Sequence, residues 1–133
     1  MSSRHMVTER RTFSIAAAQS SQLNKAYQTL LSPLLRAEYI LAKQGIYEDE
    51  NEKLEDPEFI TEIMDIRQEI EDASDDETLT RLSKKNKEKI DLTIGQVSQL
   101  IQDRNWKAAK TASTRLKYLL GIDKAAEKKI HHY

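Results

Sequence analysis

The sequence predicts an all-α protein whose C-terminal part is an antiparallel three-helix bundle. Three observations carry this. The 133 residues hold only three Gly and two Pro, and 32% are charged, a composition that favours helices over a sheet. Apolar residues recur at steps of three and four through most of the chain, which is the spacing of one helix face. Short polar runs separate the segments so marked, as connections between antiparallel neighbours require.

Five helical segments follow in order. The first covers Thr8–Leu31, with Leu23, Tyr27, Leu30 and Leu31 at helical spacing. Its start, MSSRHMVTERRTFSIAAAQSS, is Arg- and Ser-rich and acid-poor, which is also how a mitochondrial transit peptide looks. Its unbroken run into the apolar stripe favours the helix. The second segment covers Pro33–Gln44. Pro33 suits a first helical position, with Ser32 as N-cap, so a break between two short helices is expected at Ser32-Pro33. Leu34, Ala37 and Leu41 share one side. Gly45 ends the segment, and Ile46 follows where an apolar residue often packs back on the last turn. Residues 46–55 form an acidic connector, expected to be mobile.

The third segment starts at Asp56-Pro57, a cap followed by Pro, with Glu58 near the positive end of the helix dipole. It ends near Ala73. The fourth starts around Thr78 and steps through Leu79, Leu82, Asn86, Ile90, Thr93, Val97 and Leu100 to Asp103. The fifth starts at Asn105, with Trp106, Ala109, Ser113, Leu116 and Leu120 in step. It is expected to fray near Gly121 and to resume through Lys124–Ile130. Segments three to five make the bundle.

Composition also removes whole function classes. No run approaches the roughly 20 apolar residues of a membrane-spanning helix. With no cysteine, a disulfide scaffold, a thiolate metal site and a cysteine nucleophile are excluded, as is a thiolate ligand to an iron–sulfur cluster. Carboxylates are plentiful, but nothing pairs them with a nucleophile or metal, so they read as a solvated face. His5, His131 and His132 lie at the chain ends, where metal ligands are rarely held. No glycine-rich phosphate loop appears. The expectation is a non-enzymatic protein without cofactor or metal.

The net charge of −1 hides a segregation. Residues 48–77 hold fifteen acids against Lys53 and Arg67, a charge of −13, whereas residues 81–133 carry +8. Either acidic and basic helices attract within the bundle, or an acidic face meets a basic partner. The basic stretch of Arg81, Lys84, Lys85, Lys87 and Lys89 raises a rival reading, a small helical nucleic-acid-binding or regulatory domain. It includes Glu88 and lacks interleaved aromatics, so a solvated or internally paired face is favoured.

Two helices carry apolar residues that a bundle core does not need. On a wheel at about 100° per residue, Phe59, Ile63, Ile66 and Ile70 fall within about 60° of one another. Ile60 and Met64 lie roughly 100–140° away, beside Arg67, Gln68 and Glu71. They read as an exposed ridge in an acidic surround, an anchor-and-rim arrangement for a protein partner, or as a wide stripe packed under a neighbouring segment. In the fifth segment Tyr118 lies opposite the core face, and an off-stripe Tyr suits an interface.

The wording of SSQLNKAYQTLLSPLLRAEYILAKQG, Ser20 to Gly45, resembles the junction between J-domain and C-terminal domain in the HscB/Jac family, J-type co-chaperones of iron–sulfur cluster assembly. The acidic helical region that follows is similar too, so the resemblance covers nearly the whole chain. It implies residues 1–44 as a remnant of the J-domain's last helix and a connecting helix, 45–55 as a linker, and 56–133 as a scaffold-binding bundle. DPEFITEIMDIRQEIEDA, Asp56 to Ala73, resembles the segment that contacts the cluster scaffold. Position by position, the implied contacts are Phe59, Ile60, Glu62, Met64, Asp65, Gln68, Glu69 and Asp72. LKYLL, Leu116 to Leu120, resembles the family's aromatic stretch and adds Tyr118. Phe59 is the weaker candidate, because it sits on the core stripe. The partners implied are a scaffold protein of the IscU/Isu type and a DnaK/HscA-type chaperone, in the mitochondrial matrix or, for a prokaryotic source, the bacterial cytoplasm; neither nucleic acid nor membrane is implied. One departure matters. Stimulation of the chaperone ATPase needs a His-Pro-Asp loop, and here Pro33 and Pro57 follow Ser32 and Asp56. The expectation is a truncated J-domain that binds scaffold without activating the chaperone by itself.

Overall fold

The computed structural model describes Lys25, Gln28, residues 31–47 and residues 56–130. Most of the Thr8–Leu31 segment, its transit-peptide alternative, the greater part of the acidic connector, and His5, His131 and His132 lie outside the described residues. Contacts divide the chain into two compact units, Met1–Ser32 and Pro33–Tyr133. Every regular element among the described residues is helical.

Helix α1 is described from 31 to 43. Ser32 and Pro33 therefore lie within helix, and the expected break between two helices is not there. Proline removes one donor but its φ is helical, and Leu34, Ala37 and Leu41, each at most 3% exposed, hold this stretch by burial. The end is as expected. Gly45 takes φ 78°, and the Ile46 N–H donates back to the Leu41 carbonyl at 2.9 Å. This satisfies an end-turn carbonyl in the manner of a left-handed C-cap.

Helix α2 covers Pro57–Asp72. Asp56 caps it, its Oδ1 accepting from the Phe59 N–H at 3.2 Å, and Ile63 and Ile70 are its buried residues. Helix α3 covers Asp76–Gln102 and begins earlier than the expected Thr78. The cap is Asp75, which accepts from the Thr78 N–H at 3.0 Å and the Thr78 hydroxyl at 2.7 Å. These bonds hold its carboxyl below the ordinary carboxylate value. Asp76 and Glu77 then fall in the first turn, where the dipole favours acids. The turn into the last helix places Arg104 at φ 57°, a left-handed position filled without glycine.

Helix α4 covers Trp106–Ile130 and runs unbroken through Gly121, so the expected fraying is absent. Leu120 at 1%, Ile122 at 0% and Ala126 at 0% exposure bracket that glycine. Their burial outweighs the roughly 1 kcal/mol by which glycine disfavours a helix interior. The core is densest between α3 and α4, where Ile90, Leu116, Leu120 and Ile122 are fully buried, each worth about 1.5–3 kcal/mol of transfer free energy. Asn86 lies in the same interface and donates from Nδ2 to the Leu119 carbonyl at 2.9 Å. Helix α1 adds Ala37 to a cluster with Val97 and Ala112, flanked by Leu100 and Ile101.

Candidate partner-binding face

The ridge expected from the sequence depends on how α2 sits against α4. Three links give the same answer. Arg115 Nη2 donates to Asp56 Oδ2 at 2.8 Å. The Phe59 and Tyr118 rings meet edge to face, centroids 6.1 Å apart at 82°. Lys129 Nζ donates to the Ile70 carbonyl at 2.7 Å and the Glu71 carbonyl at 2.6 Å. The first, the second and the Ile70 contact share a sequence offset of 59. The two helices therefore run parallel and in register from one end of α2 to the other, with α3 antiparallel to both.

Phe59 is half-buried. Its edge meets Tyr118, and the Arg115 guanidinium lies 5.3 Å over its ring, within cation–π range. It links α2 to α4 more than it fills the core. Ile60 is half-buried, Met64 is 65% exposed and Tyr118 36% exposed. Asp65, Gln68, Glu69 and Asp72 are all exposed, and Gln68 Nε2 donates to Asp72 Oδ1 at 3.0 Å. Phe59 and Tyr118 are thus in contact, with Ile60 and Met64 following Phe59 along α2.

The acids divide between two flanks. Glu62 Oε1 accepts from Lys89 Nζ at 2.7 Å, so it faces α3. Glu69 lines a shallow cleft of about 40 Å³ with Ile66, Leu82, Lys85, Asn86 and Lys89, far smaller than a small-molecule site of about 300–1,000 Å³. The basic stretch is partly used inside the bundle. Lys89 holds Glu62, and Lys87 Nζ donates to Glu127 Oε1 at 2.7 Å. Some acid–base attraction is therefore internal, although pairs this exposed are each worth only about 0–1 kcal/mol. Arg81, Lys84 and Lys85 remain on the surface.

Between α3 and α4 a polar seam interrupts the core. Asp123 is 2% exposed and its Oδ1 has no partner. Burial pushes its carboxyl up from the ordinary value, Lys87 pulls it back and Glu127 adds to the rise. The hydrogen bond to Glu127 raises the Lys87 ammonium. Ser83 donates to Glu127 Oε1 at 3.1 Å and completes the seam.

Sequence reasoning missed the residues that join α2 to α4: Asp56 in its second role, Arg115, Lys129, and Arg67, which lies over Gly121. A Cβ on Gly121 would stand 2.9 Å from Arg67 Nη2. A glycine inside a strong helical pattern was the available signal for that close approach. The ion pair had none, since its members are 59 residues apart. Among the described residues, no group of three or more His, Cys, Asp and Glu could hold a metal ion. Among them, no helix is long and apolar enough to cross a membrane.

Comparison with known proteins finds relatives of the chain. A family model described as the HSCB C-terminal oligomerisation domain matches residues 55–127. The mitochondrial J-type co-chaperone jac1 of Schizosaccharomyces pombe is 38% identical over 120 residues, which is 89% of this chain and 53% of that protein. A co-chaperone protein HscB homolog of Photobacterium profundum is 31% identical over 117 residues, 79% of this chain and 64% of that protein. The solved structure of the Jac1 co-chaperone from Saccharomyces cerevisiae matches with a TM-score of 0.67 and 31% identity, covering 90% of this chain and 79% of that one. The chain thus spans about half the length of the first relative and under two thirds of the second.

Proposed function

The chain belongs to the HscB/Jac1 family of J-type co-chaperones, and from that premise we propose that it captures the cluster scaffold protein of iron–sulfur biogenesis on the α2–α4 face. Ile60, Met64 and Tyr118 supply the apolar anchors. Asp65, Gln68, Glu69 and Asp72 form a polar rim that steers a basic patch on the scaffold, acting on association rate and specificity. The observation that carries this reading is Met64. It is 65% exposed one residue after a core isoleucine, on the helix whose Phe59 touches Tyr118. With half-buried Ile60 one turn earlier and the Phe59–Tyr118 pair, it belongs to a group of apolar side chains rather than standing singly, and it is grouped exposure that marks an interaction site.

Glu62 enters this reading in a lesser role. Its carboxylate is shared with Lys89 and must exchange that partner before it serves another. Joined to a J-domain bearing a His-Pro-Asp loop, the captured scaffold is presented to a DnaK/HscA-type chaperone whose ATPase the J-domain stimulates. The proposed compartment is the mitochondrial matrix, or the bacterial cytoplasm for a prokaryotic source. The relatives named above include both mitochondrial and bacterial proteins.

Calorimetric titration with a scaffold protein of the IscU/Isu type tests this. The variant Ile60→Ala with Met64→Ala and Tyr118→Ala should lose most of the affinity while keeping its helical circular dichroism. Undiminished binding by that variant would remove the site.

A further inference from the structure

The α2–α4 face works only if α2 sits at one register, and its apolar stripe does not fix that register well. Phe59, Ile63, Ile66 and Ile70 step by three and four with three isoleucines in succession. A slide by one helical turn, about 5.4 Å, replaces isoleucine with isoleucine at two of these four positions. Such one-turn slips are a known way for packed helices to exchange arrangements. They would carry Phe59 a full turn away from Tyr118, which stays with α4, and change where Ile60 and Met64 stand relative to that ring.

Polar links at the two ends of α2 distinguish the registers. At the start, Asp56 uses one oxygen to cap α2 through the Phe59 N–H and the other to take Arg115 from α4. The same guanidinium lies over the Phe59 ring. At the far end the last carbonyls of a helix lack intrahelical donors and carry the negative end of its dipole. Helix α2 has no basic residue in its own last turn, and Lys129 of α4 reaches the Ile70 and Glu71 carbonyls instead. A slide in either direction breaks both links together.

Resting on the function proposed above, we propose that Arg115 and Lys129 are positioning residues of the binding face: they grip opposite ends of α2 and hold the 59-residue register that seats Phe59 on Tyr118 and so fixes where Ile60 and Met64 stand relative to that ring. Neither needs to touch the scaffold.

The test uses Arg115→Gln and Lys129→Met, singly and together, with Arg115→Lys and Lys129→Arg as charge-keeping controls. Two readouts are taken: titration with an IscU/Isu-type scaffold protein, and nuclear Overhauser contacts between the Phe59 and Tyr118 rings in the free protein. Each neutral variant should weaken binding about fivefold, the double variant more, and the charge-keeping variants by no more than about twofold. The Phe59–Tyr118 contacts should weaken in the same order. Unchanged ring contacts in the double variant would overturn the proposal whatever the binding result. Should the double variant lose its helical signal, the single variants decide by the same criterion. If the wild-type chain does not bind scaffold at all, the proposed function fails, and the ring contacts still decide whether these residues set the register.

Discussion

Adjacent residues of α2 offer a sharp separation of folding from binding. Ile63 is 4% exposed and Met64 65% exposed, one facing the core and the other water. Ile63→Ala removes buried methyl groups and leaves a cavity, at a cost of about 2–5 kcal/mol. For a domain of this size each kcal/mol lowers the melting midpoint by about 4–8 °C. Met64→Ala removes a side chain already mostly in water and should change stability by no more than about 0.5 kcal/mol. Binding reverses the order of importance. Fully burying a methionine is worth about 1.5–3 kcal/mol. With about two thirds of the residue still exposed, covering it yields roughly 1–2 kcal/mol, a loss of about 5–30-fold in affinity when it is truncated. Urea or thermal unfolding gives the first quantity and calorimetric titration with scaffold gives the second. If Met64→Ala destabilised the fold by more than about 1.5 kcal/mol, or left affinity unchanged, the assignment of Met64 as an anchor would be refuted.

Other outcomes follow from single positions. Arg104→Gly should stabilise the protein by about 0.5–1 kcal/mol, since Arg104 holds a left-handed φ of 57° that glycine adopts without steric cost; thermal unfolding checks it, and a lower midpoint would contradict it. Gly121→Ala should gain up to about 1 kcal/mol of helix propensity, because the obstructing atom is the far end of the exposed, flexible Arg67 side chain. A net loss of stability would show that Arg67 cannot move aside. The raised Asp123 carboxyl binds protons more readily folded than unfolded, so its contribution to stability falls as pH rises from about 4, where the unfolded carboxyl titrates. Asp123→Asn should therefore gain on wild type as pH rises towards neutrality, with Lys87 and Glu127 left in place. A stability difference independent of pH, measured by unfolding across that range, would contradict it.

The parts of the fold legible in the sequence are those decided by local pattern. The stripes of α2, α3 and α4 are long and periodic, and Asp56-Pro57 and Gly45 act through their own backbone neighbours. What escaped depends on distant residues. Pro33 carries a start signal, yet Leu31 and Ser32 before it are already helical, which the helical φ of proline permits. Gly121 carries a stop signal, yet Leu120, Ile122 and Ala126 bury on either side. The start expected around Thr78 falls two residues early, because Asp75 caps the helix through the Thr78 N–H and hydroxyl and so makes Asp76 its first residue. For the candidate site, the wheel separated Met64 from Ile63 correctly, since exposure follows helix phase. It could not show that Glu62 is engaged by Lys89, 27 residues away, or that Arg115 anchors Asp56.

The central claim is where the scaffold sits, and chemical-shift mapping of the isotopically labelled chain answers that most directly. On addition of an IscU/Isu-type scaffold protein, capture at the α2–α4 face predicts perturbed signals from Phe59 through Asp72 on the outer side of α2 and around Tyr118 on α4. Perturbations centred on Arg81 to Lys89, or on the exposed Leu35 and Tyr39 of α1, would contradict it, as would a spectrum that does not change.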